Sequence, residues 1–162
     1  MDLNIRPMVD DDMDAIVELS LAAWAPVFAS FEQVLGPTIY GFILPDWRTT
    51  QTEVVTGICK ETDKYTTWVA EVDGNVAGFL SYELDFEKET GEIMLLAVHP
   101  DYQNSGVGTE LNTFALDKLK ESSMKLAVLG TGGDPGHAPA RRSYEKAGYR
   151  ALPTVRYYKD LS

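Results

Sequence analysis

Cysteine is almost absent. Cys59 is the only one in 162 residues, which excludes an internal disulfide and any multi-cysteine metal site. Histidine is nearly as scarce, and His99 and His137 lie too far apart in the chain to suggest a zinc pair, so no metal is expected. Basic residues are few: fourteen Lys/Arg against twenty-five Asp/Glu give a net charge of −11, which argues against phosphate-driven nucleic-acid binding. No apolar run approaches the ~20 residues of a membrane span, and Met1-Asp2-Leu3 opens without a basic and apolar leader. The expectation is a cytoplasmic protein with neither a membrane nor a nucleic acid as partner. Repeats, low-complexity tracts and Pro/Gly/Ser linkers are also missing, so a single domain is expected over residues 1–162. What is present suits a packed core, since 44% of residues are apolar and 24% charged.

The charge is unevenly distributed. Residues 1–81 hold four Lys/Arg against thirteen Asp/Glu, net −9, whereas residues 82–162 hold ten against twelve, net −2. An acidic surface keeps a small protein soluble; a split of this kind also suits two halves that meet partners of different charge.

Element signals follow one another closely. Leu3–Pro7 reads as an edge strand, because Pro7 cannot donate to a ladder. Asp10, Asp11 and Asp12 are expected to cap a helix whose apolar face is Met13, Ile16, Val17, Leu21 and Trp24. Phe31 to Trp47 is expected to form a short helix and loop broken at Gly36-Pro37 and Pro45, and Asp46 to cap a helix carrying Val54, Val55, Ile58 and Cys59 on one side. Tyr65–Val72 and Val76–Leu84 are β-branched and aromatic runs around Asp73-Gly74-Asn75, a hairpin signal. Ile93–Val98 is apolar throughout and reads as a central strand. Helical spacing follows from Val107 to Leu119, then a strand at Leu126–Leu129, a glycine-rich loop, a helix with Ala140, Tyr144 and Ala147 on one face, and a last strand at Val155–Tyr158. The order β-α-α-β-β-β-α-β-α-β implies an α/β domain with a mixed sheet.

The segment from Ile93 to Thr109 joins a buried strand, a tight turn and a helix start. Gly106 and Gly108 flank Val107 where unsatisfied N–H groups gather at the positive end of a helix, a position that favours phosphate. Two glycines also suit plain turn geometry. The nucleoside-triphosphate loop would require Gly-Lys-Ser/Thr, and a dinucleotide fingerprint a full G-x-G-x-x-G; neither is present.

Gln103-Asn-Ser-Gly106-Val-Gly108, following Leu96-Ala-Val98-His-Pro100, resembles the Q/R-x-x-G-x-G/A signature of the GNAT superfamily of N-acetyltransferases. Ala140-Arg-Arg-Ser-Tyr144-Glu-Lys-Ala-Gly148-Tyr149 is similar to that family's A-x-x-x-Y-E-K-x-G-F/Y helix, and Ile5-Arg6-Pro7 before the Asp-rich helix start matches a common opening. The resemblance implies a mixed, mostly antiparallel sheet of six to seven strands with about four helices. It also implies acetyl-CoA as the acetyl donor and an amine as acceptor, and leaves a homodimer open.

By the same resemblance, the main chain of Leu96, Ala97 and Val98 pairs with the pantetheine arm. The N–H groups of Gln103, Asn104, Ser105, Gly106, Val107, Gly108 and Thr109 hold the pyrophosphate. Ala140 and Arg141 lie at the cofactor, with Arg142 and Lys146 as further candidates for its remaining phosphate. Tyr144 is the expected proton donor to the departing thiolate, because a phenol of pKa ~10 stays protonated at neutral pH. An alkylamine of pKa ~10.4 must lose a proton before it attacks; Glu92 is the candidate base, acting directly or through water, with Glu83 and Tyr82 behind it.

Where the family pattern usually carries Asn, this chain has His137. The expected role is a pantetheine contact in which the neutral imidazole accepts one hydrogen bond and donates another, with proton relay as the alternative. The leading expectation is acetylation of a small cationic amine. Acetylation of a protein N-terminus or lysine, transfer of another acyl group, a non-catalytic acyl-CoA sensor and a nucleotide-binding module remain open, because the acceptor site falls on the least patterned region, Trp24 to Trp47.

Overall fold

A computed structural model describes residues 1–162. Five strands form one sheet in the order β1-β2-β3-β4-β5, with β1 Leu3–Pro7, β2 Tyr65–Val72, β3 Asn75–Asp85, β4 Thr90–Val98 and β5 Leu126–Leu129. The first four pair antiparallel and β5 runs parallel to β4. The helices are α1 Met13–Ile43, α2 Trp47–Lys60, α3 Val107–Glu121 and α4 Ala138–Lys146. A two-residue turn at Asp73-Gly74, both with positive φ, joins β2 to β3 as the sequence suggested.

The sheet has two buried faces. Ile16 and Leu19 of α1 and Val55 and Cys59 of α2 cover Val69, Phe79, Leu95 and Ala97; Val107, Leu111, Ala115 and Leu119 of α3 cover Ala70, Leu80, Tyr82 and Ile93. Strand β4 serves both faces and carries an irregularity. Ser81 pairs with Leu95 and Tyr82 with Ile93, so Met94 is an extra residue in β4. Such a bulge resets the in–out alternation, and Ile93 faces α3 while Leu95 and Ala97 face α1 and α2.

Two expectations are corrected and a third holds. Val155–Tyr158 is not a strand: residues 147–162 have no regular structure, so the sheet has five strands rather than six or seven. A strand is stabilised by ladder partners and a covered face, and the tail has neither, with Val155 75% and Tyr157 89% exposed. The acidic triplet does not cap α1. Asp10–Asp12 form a 3-10 turn, and the buried Asp12 carboxylate instead takes Arg6 Nη1 and Nη2 at 2.8 and 2.9 Å and the Val9 N–H at 2.8 Å. The break expected at Gly36-Pro37 is present: two helical runs meet at non-helical Gly36 (φ 80°), the second is the short run to Ile43, and a loop follows before Trp47. With the turn before them, the two runs make a segment, Asp10–Ile43, with a window of mean hydropathy 1.3, long and apolar enough to cross a membrane by length and composition alone. In this fold Ile16, Leu19, Val27 and Phe28 of that helix are buried within the protein.

Candidate active site

The site begins where β4 and β5 separate. Parallel pairing runs only from Thr90–Leu126 to Ile93–Leu129, because β5 is four residues long, whereas β4 stays paired to β3 as far as Val98. The edge of β4 beyond Ile93 that faces β5 therefore has no strand partner. The gap opens into a cavity of about 500 Å³. Met94 to Val98 form its floor, Gln103, Asn104 and Gly108 one end, Ala23, Trp24, Pro26 and Val27 of α1 one wall, and His137, Ala140, Ser143 and Tyr144 the wall opposite.

The turn at the end of β4 is built from local chemistry. Asn104 (φ 60°) and Gly106 (φ 93°) take left-handed backbone conformations, which Asn and Gly tolerate best, and Gly106 is the residue from which α3 starts. Gln103 Nε2 donates to the Val98 carbonyl at 3.1 Å, and the Ser105 hydroxyl donates to the Tyr102 carbonyl. The side chains of Gln103, Asn104, Ser105 and Thr109 are exposed, while Val107 is sealed in the core, leaving only its main chain to face a ligand. A Cβ on Gly108 would sit 3.7 Å from Val98 Cγ2, an ordinary contact, so the turn is open directly above the strand end.

Helix α4 is fixed at both ends. Its C-terminus closes with Gly148 (φ 98°) at C′: the Gly148 N–H donates to Glu145 and the Tyr149 N–H to Tyr144, at 3.1 Å each, the two bonds of a Schellman motif. The hydrophobic contact that accompanies this motif is between Tyr144 and Tyr149, edge to face with ring centroids 5.9 Å apart. Asn112 Nδ2 of α3 donates to Ser143 Oγ of α4 at 3.0 Å. Burial raises the pKa of the Tyr144 phenol, so it stays protonated at neutral pH. Its hydroxyl has no protein partner, yet it is not sealed from solvent; the only fully buried side-chain polar atom without a partner is Tyr149 Oη. Burial, and then the neighbouring Tyr144, push Tyr149 up to about 12.

At the other end of α4, Asp134 organises the glycine-rich loop. Its Oδ1 lies 2.5 Å from His137 Nδ1, and its Oδ2 accepts from Ser30 Oγ at 2.7 Å and from the Gly136 N–H at 3.0 Å. Burial pushes the Asp134 carboxyl up, but hydrogen bonds from His137 and Ser30 outweigh it and the pKa is lowered. Ser30 belongs to α1, so this cluster ties the helix on one wall of the cavity to the loop on the other.

Of the residues singled out in the sequence, Leu96, Ala97, Val98, Gln103, Asn104, Gly108, His137, Ala140 and Tyr144 line one cavity. Three stand apart. Glu92 is exposed, opposite Glu83 on β3, and does not line the cavity; the bulge at Met94 lies between it and the cavity floor. Arg141 does not line the cavity either: Nη1 donates to the carbonyls of Gly132 and Asp134, at 2.7 Å each, and so holds the loop. His137 has one ring nitrogen committed to Asp134, so it cannot both accept from and donate to a pantetheine arm. Asp134 and Ser30 were not anticipated. Asp134 sits three residues before His137 across a Pro-Gly turn, a spacing that signals a local side-chain contact; Ser30 gave no signal.

The acetyltransferase (GNAT) family profile matches residues 29–149. This chain belongs to that family. It is 32% identical over 92 residues to the mycothiol acetyltransferase of Streptomyces coelicolor, covering 57% of this chain and 29% of that protein. It is 28% identical over 91 residues to the human N-acetylaspartate synthetase, covering 56% of this chain and 30% of that protein. The chain thus spans about a third of the length of these relatives. In fold it is similar to the PaiA N-acetyltransferase of Thermoplasma acidophilum in complex with coenzyme A, with a TM-score of 0.72, 15% identity, and 96% and 94% of the two chains covered. Of the GNAT motifs read from the sequence, the Gln103–Gly108 turn and the helix that begins near Ala140 meet at the cavity, whereas Ile5-Arg6-Pro7 lies in β1 at the far edge of the sheet.

Proposed function

We propose that this chain transfers the acetyl group of acetyl-CoA to a primary amine, most readily that of a small cationic molecule. The observation that carries this reading is the unpaired edge of β4 from Met94 to Val98, which ends under the turn at Gln103–Gly108 and faces the free hydroxyl of Tyr144. An extended arm bearing amides fits a strand edge that lacks a partner. The main chain of Leu96, Ala97 and Val98 holds that arm, and N–H groups from Gln103 to Thr109 hold the diphosphate at the start of α3.

In the transfer, the amine nitrogen attacks the thioester carbonyl, whose oxygen is stabilised by a main-chain N–H near Val98. The C–N bond forms, the C–S bond breaks, and Tyr144 donates its proton to the departing sulfur. Strands β1 to β4 fix the floor and α4 fixes Tyr144, so the reacting groups are held by rigid elements. The preference for a cationic acceptor rests on α1, which forms a wall of the cavity and carries Asp14, Glu18 and Glu32 without a single Lys or Arg. The relatives' names point to dissimilar acceptors, so charge is the firmer guide. Calorimetry with acetyl-CoA, followed by thiol release from acetyl-CoA with a panel of amines, tests the reading; an absence of acetyl-CoA binding overturns it.

A further inference from the structure

The geometry points to Asp134 and His137 as the proton-accepting pair for the acceptor amine, with His137 Nε2 as the base and Asp134 as its positioning residue. This rests on the acetyl-transfer reading above. Three observations carry it. His137 Nδ1 is held by Asp134 Oδ1 at 2.5 Å, which fixes the ring and assigns the Nδ1 proton to that bond. Nε2 has no protein partner, yet it is not sealed from solvent, and the ring lines the cavity that also contains Tyr144. Asp134 is in turn immobilised by Ser30 Oγ and the Gly136 N–H, and Arg141 grips its carbonyl.

The loop is shaped around this pair. A Cβ at Gly132 would land on Asp134 Oδ1 and His137 Nδ1, and one at Gly136 would press on Ser30 Cβ at 2.7 Å and Asp134 Oδ2 at 3.0 Å. Both side chains of the pair are largely buried, 14% exposed for His137 and 10% for Asp134. Phe31 of α1 packs against the imidazole with centroids 5.6 Å apart.

His137 is the N-cap of α4 and Tyr144 lies seven residues further along, ~10 Å along the axis at 1.5 Å per residue. Tyr144 leans back toward the N-terminus, so a thioester and an amine fit between the two. His137 Nε2 takes one proton from the alkylammonium and leaves a lone pair on nitrogen, which forms the C–N bond. When the C–S bond breaks, its electron pair leaves on sulfur, which takes the Tyr144 proton. The nitrogen of the new amide gives up a second proton, which restores Tyr144, and His137 releases its proton to solvent. Atoms and charge balance, with one proton released per amide formed.

The charged neighbours of His137 are few. Asp134 is its partner, and Arg141 on α4 is turned to the loop carbonyls. The α1 residues against it, Ser30 and Phe31, are uncharged, and Tyr144 is the only other ionisable group lining the cavity.

The chain has only two histidines, so ¹⁵N-histidine labelling of the full chain gives two imidazole spin systems, separable with His137→Asn. The expected spectrum above neutral pH shows His137 with its proton on Nδ1. Asp134→Asn is expected to move part of that population to the Nε2 tautomer, because an amide can donate to Nδ1 where a carboxylate only accepts. In thiol release with acetyl-CoA and spermidine, Asp134→Asn lowers kcat/KM for the amine by ~10-fold or more with acetyl-CoA affinity unchanged. His137→Asn lowers kcat/KM by ~10²-fold or more, while acetyl-CoA affinity stays within a few-fold. A proton on Nε2 in the unaltered chain, an unchanged kcat/KM in Asp134→Asn, or a tenfold loss of acetyl-CoA affinity at unchanged kcat in His137→Asn overturns the pair as base. Failure of the unaltered chain to bind acetyl-CoA instead removes the acetyl-transfer reading itself, a result visible before any variant is made.

Discussion

Arg6 offers the sharpest test of what holds β1 and α1 in register. Its guanidinium makes two bonds to Asp12, at 2.8 and 2.9 Å, and one to Glu71 on β2 at 2.7 Å. The Asp12 side chain is only 7% exposed, whereas that of Arg6 is 29% exposed. Arg6→Met keeps the apolar stem but leaves a buried carboxylate whose remaining named donor is the Val9 N–H. Breaking a fully buried pair costs ~3 to 5 kcal/mol; because water reaches this guanidinium, a loss of ~2 to 3 kcal/mol is expected at pH 7. For a chain of this size that lowers Tm by roughly 4 to 12 °C. The loss must also depend on pH. The Asp12 pKa is lowered, first by the Arg6 hydrogen bonds, so its contribution is full above the unfolded value of ~3.9 and is lost as pH falls through the folded value. Without Arg6, burial raises the Asp12 pKa, and acidification relieves the variant before it weakens the parent. The stability gap measured by urea unfolding should therefore be widest near pH 7 and narrow below about pH 4. A gap under ~0.5 kcal/mol, or one of equal size at pH 3 and pH 7, would refute the argument.

Three further outcomes are expected. Gly108→Val retains the fold, since a Cβ there meets only Val98 Cγ2 at 3.7 Å, but blocks approach to the turn and weakens acetyl-CoA binding at least tenfold, ~1.4 kcal/mol; unchanged calorimetric affinity would detach the glycine turn from the donor. Tyr144→Phe lowers kcat by ~10² or more with acetyl-CoA affinity within a few-fold, whereas Tyr149→Phe removes a buried hydroxyl without a partner and is neutral or stabilising in thermal unfolding; equal kcat values for the two variants would return Tyr144 to a packing role. With a polycation as acceptor, kcat/KM falls as salt rises, because the carboxylates that α1 carries outside the cavity lining attract it over distances screened beyond ~10 Å at 0.1 M, and salt-independent kinetics would leave the acidity as a matter of solubility.

What the sequence disclosed, and what it hid, follow from the range of the interactions involved. The turn at Gln103–Gly108 and the helix from Ala140 to Tyr149 were legible because their geometry is local: a left-handed Gly106, a Schellman end at Gly148, an aromatic face at helical spacing. The hairpin at Asp73-Gly74 and the Asp46 cap, which bonds Thr49 N at 3.3 Å, were legible for the same reason. Ser30 was not, since its partner Asp134 is 104 positions away and nothing near either residue encodes their meeting. Glu92 misled because a strand-end carboxylate reads alike whether or not it borders a cavity, and the extra residue at Met94 is set by pairing with β3. The tail misled in the opposite sense: Val155–Tyr158 has the composition of a strand, but composition supplies no neighbour.

The extra residue in β4 separates two properties of the strand that point substitutions at Met94 would not tell apart: which faces its neighbours take, and where it bends. Met94 changes the parity of the strand: residues after it count from one face of the sheet, and residues before it from the other. Replacing Met94 by Leu preserves that count. Deleting it would leave Ile93 and Leu95 adjacent, on the same opposite faces and against the same β3 partners as now, and would remove only the bulge and the bend it adds. Both cores would keep their residues without it, and the loss would fall on the floor of the cavity, which Met94 helps to form.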